Sequence, residues 1–296
     1  GGRVEAPRPQ RDHLVRLALG PRSPPPYEAA LRACHHAAAL APTATGACGQ
    51  LSPEQWARLD PSNAHAWLAV AEAAMGRRDP NAVAEALHRV AHAPPAGPSW
   101  GRFTRQLLDA LPADVAPLEG WVLMNDMAGL EMTTAPRADV AARACSAAAL
   151  RDTNRAQLCD AVARRLLAGD GDLGHLAVGA GIGRRLGWSP DRLADLDEER
   201  QALLRVSAQQ VLPAAVSVGC EGIRMHGQYL RTVGEVGGRR AFPRLVAPSA
   251  PPLPEWAAMA PAPAASGLVA APASVASGPA AAWLPGASSP ADALTR

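Results

Sequence analysis

Prolines and glycines cut this chain into alanine-rich runs of helix length, and that punctuation constrains the fold more than any other feature. Several runs open on a recognisable helix start. Ser52-Pro53-Glu54 and Ser189-Pro190-Asp191 each put a serine at the cap position and a proline at the first helical position, where its missing N–H does no harm. Asn63 stands ready to cap a helix from Ala64. Alanine, the best helix former, fills 66 of the 296 positions. Strand-favouring residues are scarce, with two each of Ile, Tyr and Phe. A β-sandwich or barrel is excluded on that ground, and an all-α fold is expected.

Helices are expected over residues 27–40, 53–59, 64–75, 80–92, 100–111, 115–130, 137–150, 155–167, 173–187, 190–211 and 214–235. Alanine buries little area, so these helices must approach closely, with Leu, Val and Trp supplying most of the contact. Residues 1–26 read as a Pro/Arg-rich segment with one short apolar stretch, His13 to Leu19. Residues 27–240 form the helical domain. Residues 241–296 read as a disordered Pro/Ala-rich tail, because the last 54 positions hold 11 prolines and only four charges. The opening Gly1-Gly2-Arg3, with no Met, fits a processed or truncated product.

The charge balance of 29 basic to 27 acidic residues is too even for a nucleic-acid footprint based on bulk charge, so no nucleic-acid partner is expected. Every basic residue is Arg, which we attribute to a GC-rich source. Before the tail no run of about 18 or more apolar residues is free of charges or repeated Pro/Gly, so no membrane span is expected.

One segment carries a repeat signal. From Leu59-Asp60-Pro61 through Trp67 to Ala93-Pro94-Pro95 the chain resembles a tetratricopeptide repeat, a helix–turn–helix unit of about 34 residues. Trp67 matches the aromatic position of the first helix, Ala71 its small contact position and Leu87 the large residue of the second helix. Pro61 and Pro95 lie one repeat length apart, at the proline between units. Three positions depart: Arg78 stands where Gly is usual, Val83 where Ala is usual, and Ala74 replaces a larger residue. A shift of one repeat length in either direction places Ala33 or Gly101 opposite Trp67, so neighbouring units are degenerate. The resemblance implies stacked antiparallel helical hairpins in a degenerate array, and a groove for a protein or peptide partner.

Four of the five cysteines form two equal intervals, Cys34 to Cys48 and Cys145 to Cys159, and each interval spans a turn. Antiparallel helices joined at such a midpoint bring the two positions to disulfide distance. Two staples across hairpins are therefore expected, and with them an oxidising setting such as the periplasm. The competing reading is that each Cys is a small buried hydrophobe. Cys220 is left over.

Other constellations point weakly to chemistry. His88 and His92 share a helix face, and His65 is the nearest candidate for a third metal ligand, but two ligands make no site. Cys34-His35-His36 cannot all face one ion from a helix. Gly179-Ala180-Gly181-Ile182-Gly183 fits neither phosphate-loop pattern and is expected to ease helix contact. Gly169-Asp170-Gly171-Asp172 lacks the later ligands of a calcium loop. The carboxylates from Asp195 to Glu199 read as a solvated face. Met124, Met127 and Met132, with Trp121 and Leu130, read as core or as an adaptable binding surface. No cofactor or metal is called for. The expected function is a non-enzymatic helical scaffold for a protein or peptide. The alternatives are an enzyme with a site assembled from distant residues such as His88, His92 or Cys220, and a purely structural helical protein.

Overall fold

The computed structural model describes residues 8–20, 23–40, 46–94, 100–112, 114–168, 172–206, 220–239 and 241. The protein is all-α, with no strand among the described residues. In chain order the helices are α1 (Arg8–Leu19), α2 (Pro24–Leu40), α3 (Pro53–Leu59), α4 (Ala64–Gly76), α5 (Pro80–His92) and α6 (Arg102–Ala110). They continue as α7 (Pro117–Thr134), α8 (Asp139–Ala144), α9 (Thr153–Ala168), α10 (Leu173–Arg185), α11 (Pro190–Val206) and α12 (Cys220–Val236). Short 3-10 turns cover Gly46–Gln50 and Ala149–Arg151.

The local start signals act as the sequence requires. Ser52 Oγ accepts the Gln55 N–H at 3.1 Å, and the Asn63 side chain accepts the His65 N–H at 2.9 Å. Asp79 and Asp172 do the same for α5 and α10, although each reads in the sequence only as part of a turn. The boundary expected at residue 26 is corrected: α2 already starts at Pro24, and α1, inside the segment set apart as Pro/Arg-rich, packs on α2. Proline fits the first turn of a helix, where no N–H is needed. The disordered tail expected over 241–296 lies outside the described residues, apart from Ala241, which is buried.

The helix expected over 137–150 is also corrected. It stops at Ala144, where Arg185 Nη1 donates to the Ala142 carbonyl at 2.9 Å and the Cys145 carbonyl at 3.2 Å. A guanidinium from α10 thus takes up carbonyls left open at the end of α8.

Helix contacts are not simply sequential. α4 pairs with α5 and α9 with α10, while α5 packs on α9. α6 and α7 contact each other and α12, and α7 also leans on α2. Two apolar clusters result. The larger joins α2 to α5 with α8 and α9, around Tyr27, Trp56, Leu68 and Leu87. The smaller joins α7, α10, α11 and α12, around Met124, Leu176 and Leu230.

Glycine permits three close approaches. A Cβ on Gly179 would stand 2.7 Å from Leu167 Cγ, and one on Gly183 would stand 2.2 Å from the Trp188 ring. One on Gly234 would meet the Gly101 carbonyl at 2.2 Å. Gly179 and Gly183 therefore serve close packing, as the sequence indicated, whereas a Cβ on Gly181 would meet nothing.

Candidate binding cleft

Both expected disulfides are present. Cys34–Cys48 and Cys145–Cys159 have Cα separations of 5.6 and 5.8 Å. Their setting differs from two symmetric hairpins. Cys34 on α2 meets Cys48 on a 3-10 turn, and Cys145 just after α8 meets Cys159 on α9. Cys145 and Cys159 are fully buried, whereas Cys48 is half-buried. The first staple ties the second half of α2 to the strap before α3, and Tyr27 ties the same strap by accepting the Ser52 N–H on its hydroxyl at 2.9 Å.

The repeat-like unit is α4 and α5. Ala71 and Leu87 are completely buried between the two helices and their neighbours. Trp67 donates its indole N–H to the Pro61 carbonyl at 2.8 Å and stacks under Arg89 at 5.7 Å. Pro95 lies outside the described residues. Arg78, in the turn between the helices, has φ of 59°, the only positive value at a described non-glycine residue. The left-handed conformation explains why a glycine suits that turn.

The outer face of α4 floors an open cleft of about 390 Å³. Ala69 and Ala73 form its base, with Glu72 beside them; His35 and His36 of α2 stand on one wall, and Thr133, Thr134 and Arg137 at and beyond the end of α7 on the other. The walls offer donors and acceptors, and the base is small and apolar. Crowding by the protein lowers the pKa of His35, although much of the residue stays open to solvent; the Glu72 carboxylate opposes that shift and Arg32 adds to it. His35 and His36 make no metal set because neighbours on a helix diverge by about 100°. A cleft wall, unlike a metal ion, accommodates that divergence.

Between α2, α6 and α7 lies a buried polar cluster that no sequence motif announces. Glu28 pairs with Arg32 at 2.7 Å and with Arg102, and both Glu28 and Arg32 are almost wholly buried. Burial pushes the Arg32 pKa down, against the pull of Glu28 and Glu131. Glu131 of α7 is 1% exposed and sits at the N-terminus of α6. It accepts the N–H groups of Gly101, Phe103 and Thr104 and the Thr104 hydroxyl. Gly101 itself has no side chain to cap α6, so Glu131 takes that role from another helix.

The other expected sites are not assembled. His92 Nδ1 lies 2.8 Å from the His88 carbonyl on an exposed face. His65 is buried instead with its ring edge-on to His175, at 5.2 Å between centroids, and His175 is held by Asp172 at 2.9 Å. No group of three or more possible metal ligands occurs among the described residues. The side chain of Cys220 lies outside them. Met124 belongs to the core, while Met132 is 65% exposed beside an outward face of α7 carrying Leu118 and Val122. Asp197 stays on the solvated surface, paired with Arg184 and Arg200. Glu199 pairs with Arg239 from beyond α12, a partner no local spacing could indicate.

No family model matches the chain, no curated protein is detectably similar to it, and no solved structure matches its fold. No described helix is long and apolar enough to cross a membrane.

Proposed function

We propose that this protein is a non-enzymatic helical scaffold that binds a protein or peptide in the cleft between α2, α4 and the end of α7. The supporting observation is the cleft itself. Its alanine floor belongs to the first helix of the unit that resembles a tetratricopeptide repeat, and its polar walls suit the amide groups of an extended chain. Kinship with that repeat family is part of the proposal. The burial of Ala71 and Leu87 supports it, as does the left-handed turn residue at Arg78. The two disulfides support an exported, oxidising location.

A phage-displayed random peptide library panned on the oxidised protein tests the reading. Enriched peptides should bind the wild type and fail on Ala73→Trp, which fills the cleft floor. Equal binding to the variant, or no enrichment, would refute it. One observation favours a second reading: His35, His36 and Glu72 line the same cleft, a set that can move protons. Turnover of generic ester or peptide substrates, abolished in His35→Ala, would decide for an enzyme.

A further inference from the structure

A second recess lies on another part of the body, where the α4–α5 turn meets the end of α8 and the first turn of α9. It has a volume of about 410 Å³. Met75, Pro80, Val83 and Ala144 give it an apolar lining, and Arg78 and Arg155 give it two guanidinium groups. We propose that this recess binds an oxyanion carried on a small apolar body.

Three observations carry the assignment. The first is charge. Guanidinia nearby are already engaged: Arg77 with Glu54, Arg143 with Asp139, Arg137 with the same Asp139. The side chains of Arg78 and Arg155 form no ion pair or hydrogen bond among the described residues. Asp79 is the one acid among the described residues of the rim, and its carboxylate is turned onto α5, where it accepts the Ala82 N–H at 3.0 Å.

The second is an unmet donor. Arg155 Nη1 is shielded from solvent and has no acceptor among the described residues. A covered donor without a partner is uncommon in folded proteins, and a ligand oxygen reaching into the recess would satisfy it. Two guanidinia lining one recess supply the kind of donor that a carboxylate or phosphate accepts in pairs.

The third is backbone conformation. Arg78 holds φ of 59° at the rim. The left-handed region is costly for a residue with a Cβ, so a turn that glycine would satisfy instead carries an arginine. Such residues cluster where a site needs them. The Cys145–Cys159 disulfide adds rigidity, because Ala144 precedes one sulfur and Arg155 lies one helical turn before the other.

The test is calorimetric titration of the full-length oxidised protein with octanoate, octyl phosphate, 1-octanol, inorganic phosphate and a short peptide ending in a free leucine carboxylate. The two amphiphilic anions should bind, and each should lose roughly tenfold to a hundredfold in affinity in Arg155→Met and in Arg78→Gly, the loss expected for one charged hydrogen bond. Arg78→Gly separates binding from folding, because glycine suits that φ and the variant should melt no lower than the wild type. Binding of the leucine acid with the same losses supports the proposal and identifies a chain terminus as one source of the anion. Octanol binding as well as octanoate, phosphate binding as well as octyl phosphate, or unchanged affinity in both variants overturns it. So does the absence of binding by octanoate and octyl phosphate.

Discussion

Replacing Glu131 by glutamine should destabilise the protein more than almost any other change of one functional group. The carboxylate is buried, and its two oxygens are unequally loaded. Oε2 accepts from Gly101 N at 3.1 Å, Thr104 N at 2.9 Å and Thr104 Oγ1 at 2.5 Å, while Oε1 accepts from Phe103 N at 2.9 Å. An amide keeps only one oxygen. Its best placement puts that oxygen on the three-donor side and turns the new NH2 toward the Phe103 N–H. One bond to a charged acceptor is lost, about 1.5–3 kcal/mol. The negative charge at the N-terminus of α6 disappears as well, a further loss of about 0.3–1 kcal/mol. Together these give roughly 2–4 kcal/mol, a large fraction of a typical folding free energy. Glu131→Ala leaves every one of these donors without its acceptor and should cost more. Urea unfolding followed by far-UV circular dichroism, with the disulfides intact, measures both as a fall in midpoint at unchanged slope. A cycle with Thr104→Val isolates the hydroxyl's share, since neighbours in one network are not additive. If Glu131→Gln lies within about 0.5 kcal/mol of the wild type, the level of an ordinary surface change, the capping argument is wrong.

The disulfides predict a thiol count: unfolded, unreduced protein should titrate with one thiol, that of Cys220, and two or more would contradict the paired cysteines. Partial reduction followed by alkylation and mass mapping should label Cys34 and Cys48 before Cys145 and Cys159, because only the first bridge has a half-exposed sulfur residue. Gly183→Ala should destabilise by about 2 kcal/mol or more, as an overpacked core change does, because its Cβ would meet the Trp188 ring; an unchanged melting temperature would show that the indole moves aside cheaply. His226 is buried with neither ring nitrogen partnered among the described residues, and burial lowers its pKa. The unfolded chain then binds the proton more readily than the folded one. Stability should therefore fall as pH drops below about 6.5, the unfolded imidazole pKa, and His226→Phe should flatten that limb of the urea-midpoint profile.

Much of the helical framework is legible in the residues. Ser52, Asn63 and the Ser189-Pro190 step act within one turn of themselves, so their effect needs no knowledge of the rest of the chain. Asp79 and Asp172 carry the same signal, but the glycines near them make each read as a turn. The cysteine pairing is legible for a similar reason, since each pair closes only a short local loop. The cleft is half legible: Trp67 and Ala71 identify α4, but the walls come from α2 and the end of α7, and no spacing relates His35 to Thr133.

By itself, then, the sequence determined the helix class, most helix starts and both disulfides, because capping, proline and short-loop closure are local forces. The tertiary structure decided what those helices meet. Glu131 became a cap for α6, Arg185 a stop for α8 and His65 a partner of His175 only once packing had brought distant helices together. Alanine-rich faces are nearly interchangeable in pattern, so burial alone does not say that α5 should rest on α9. That choice depends on how particular side chains fill the space between them, which no periodicity records.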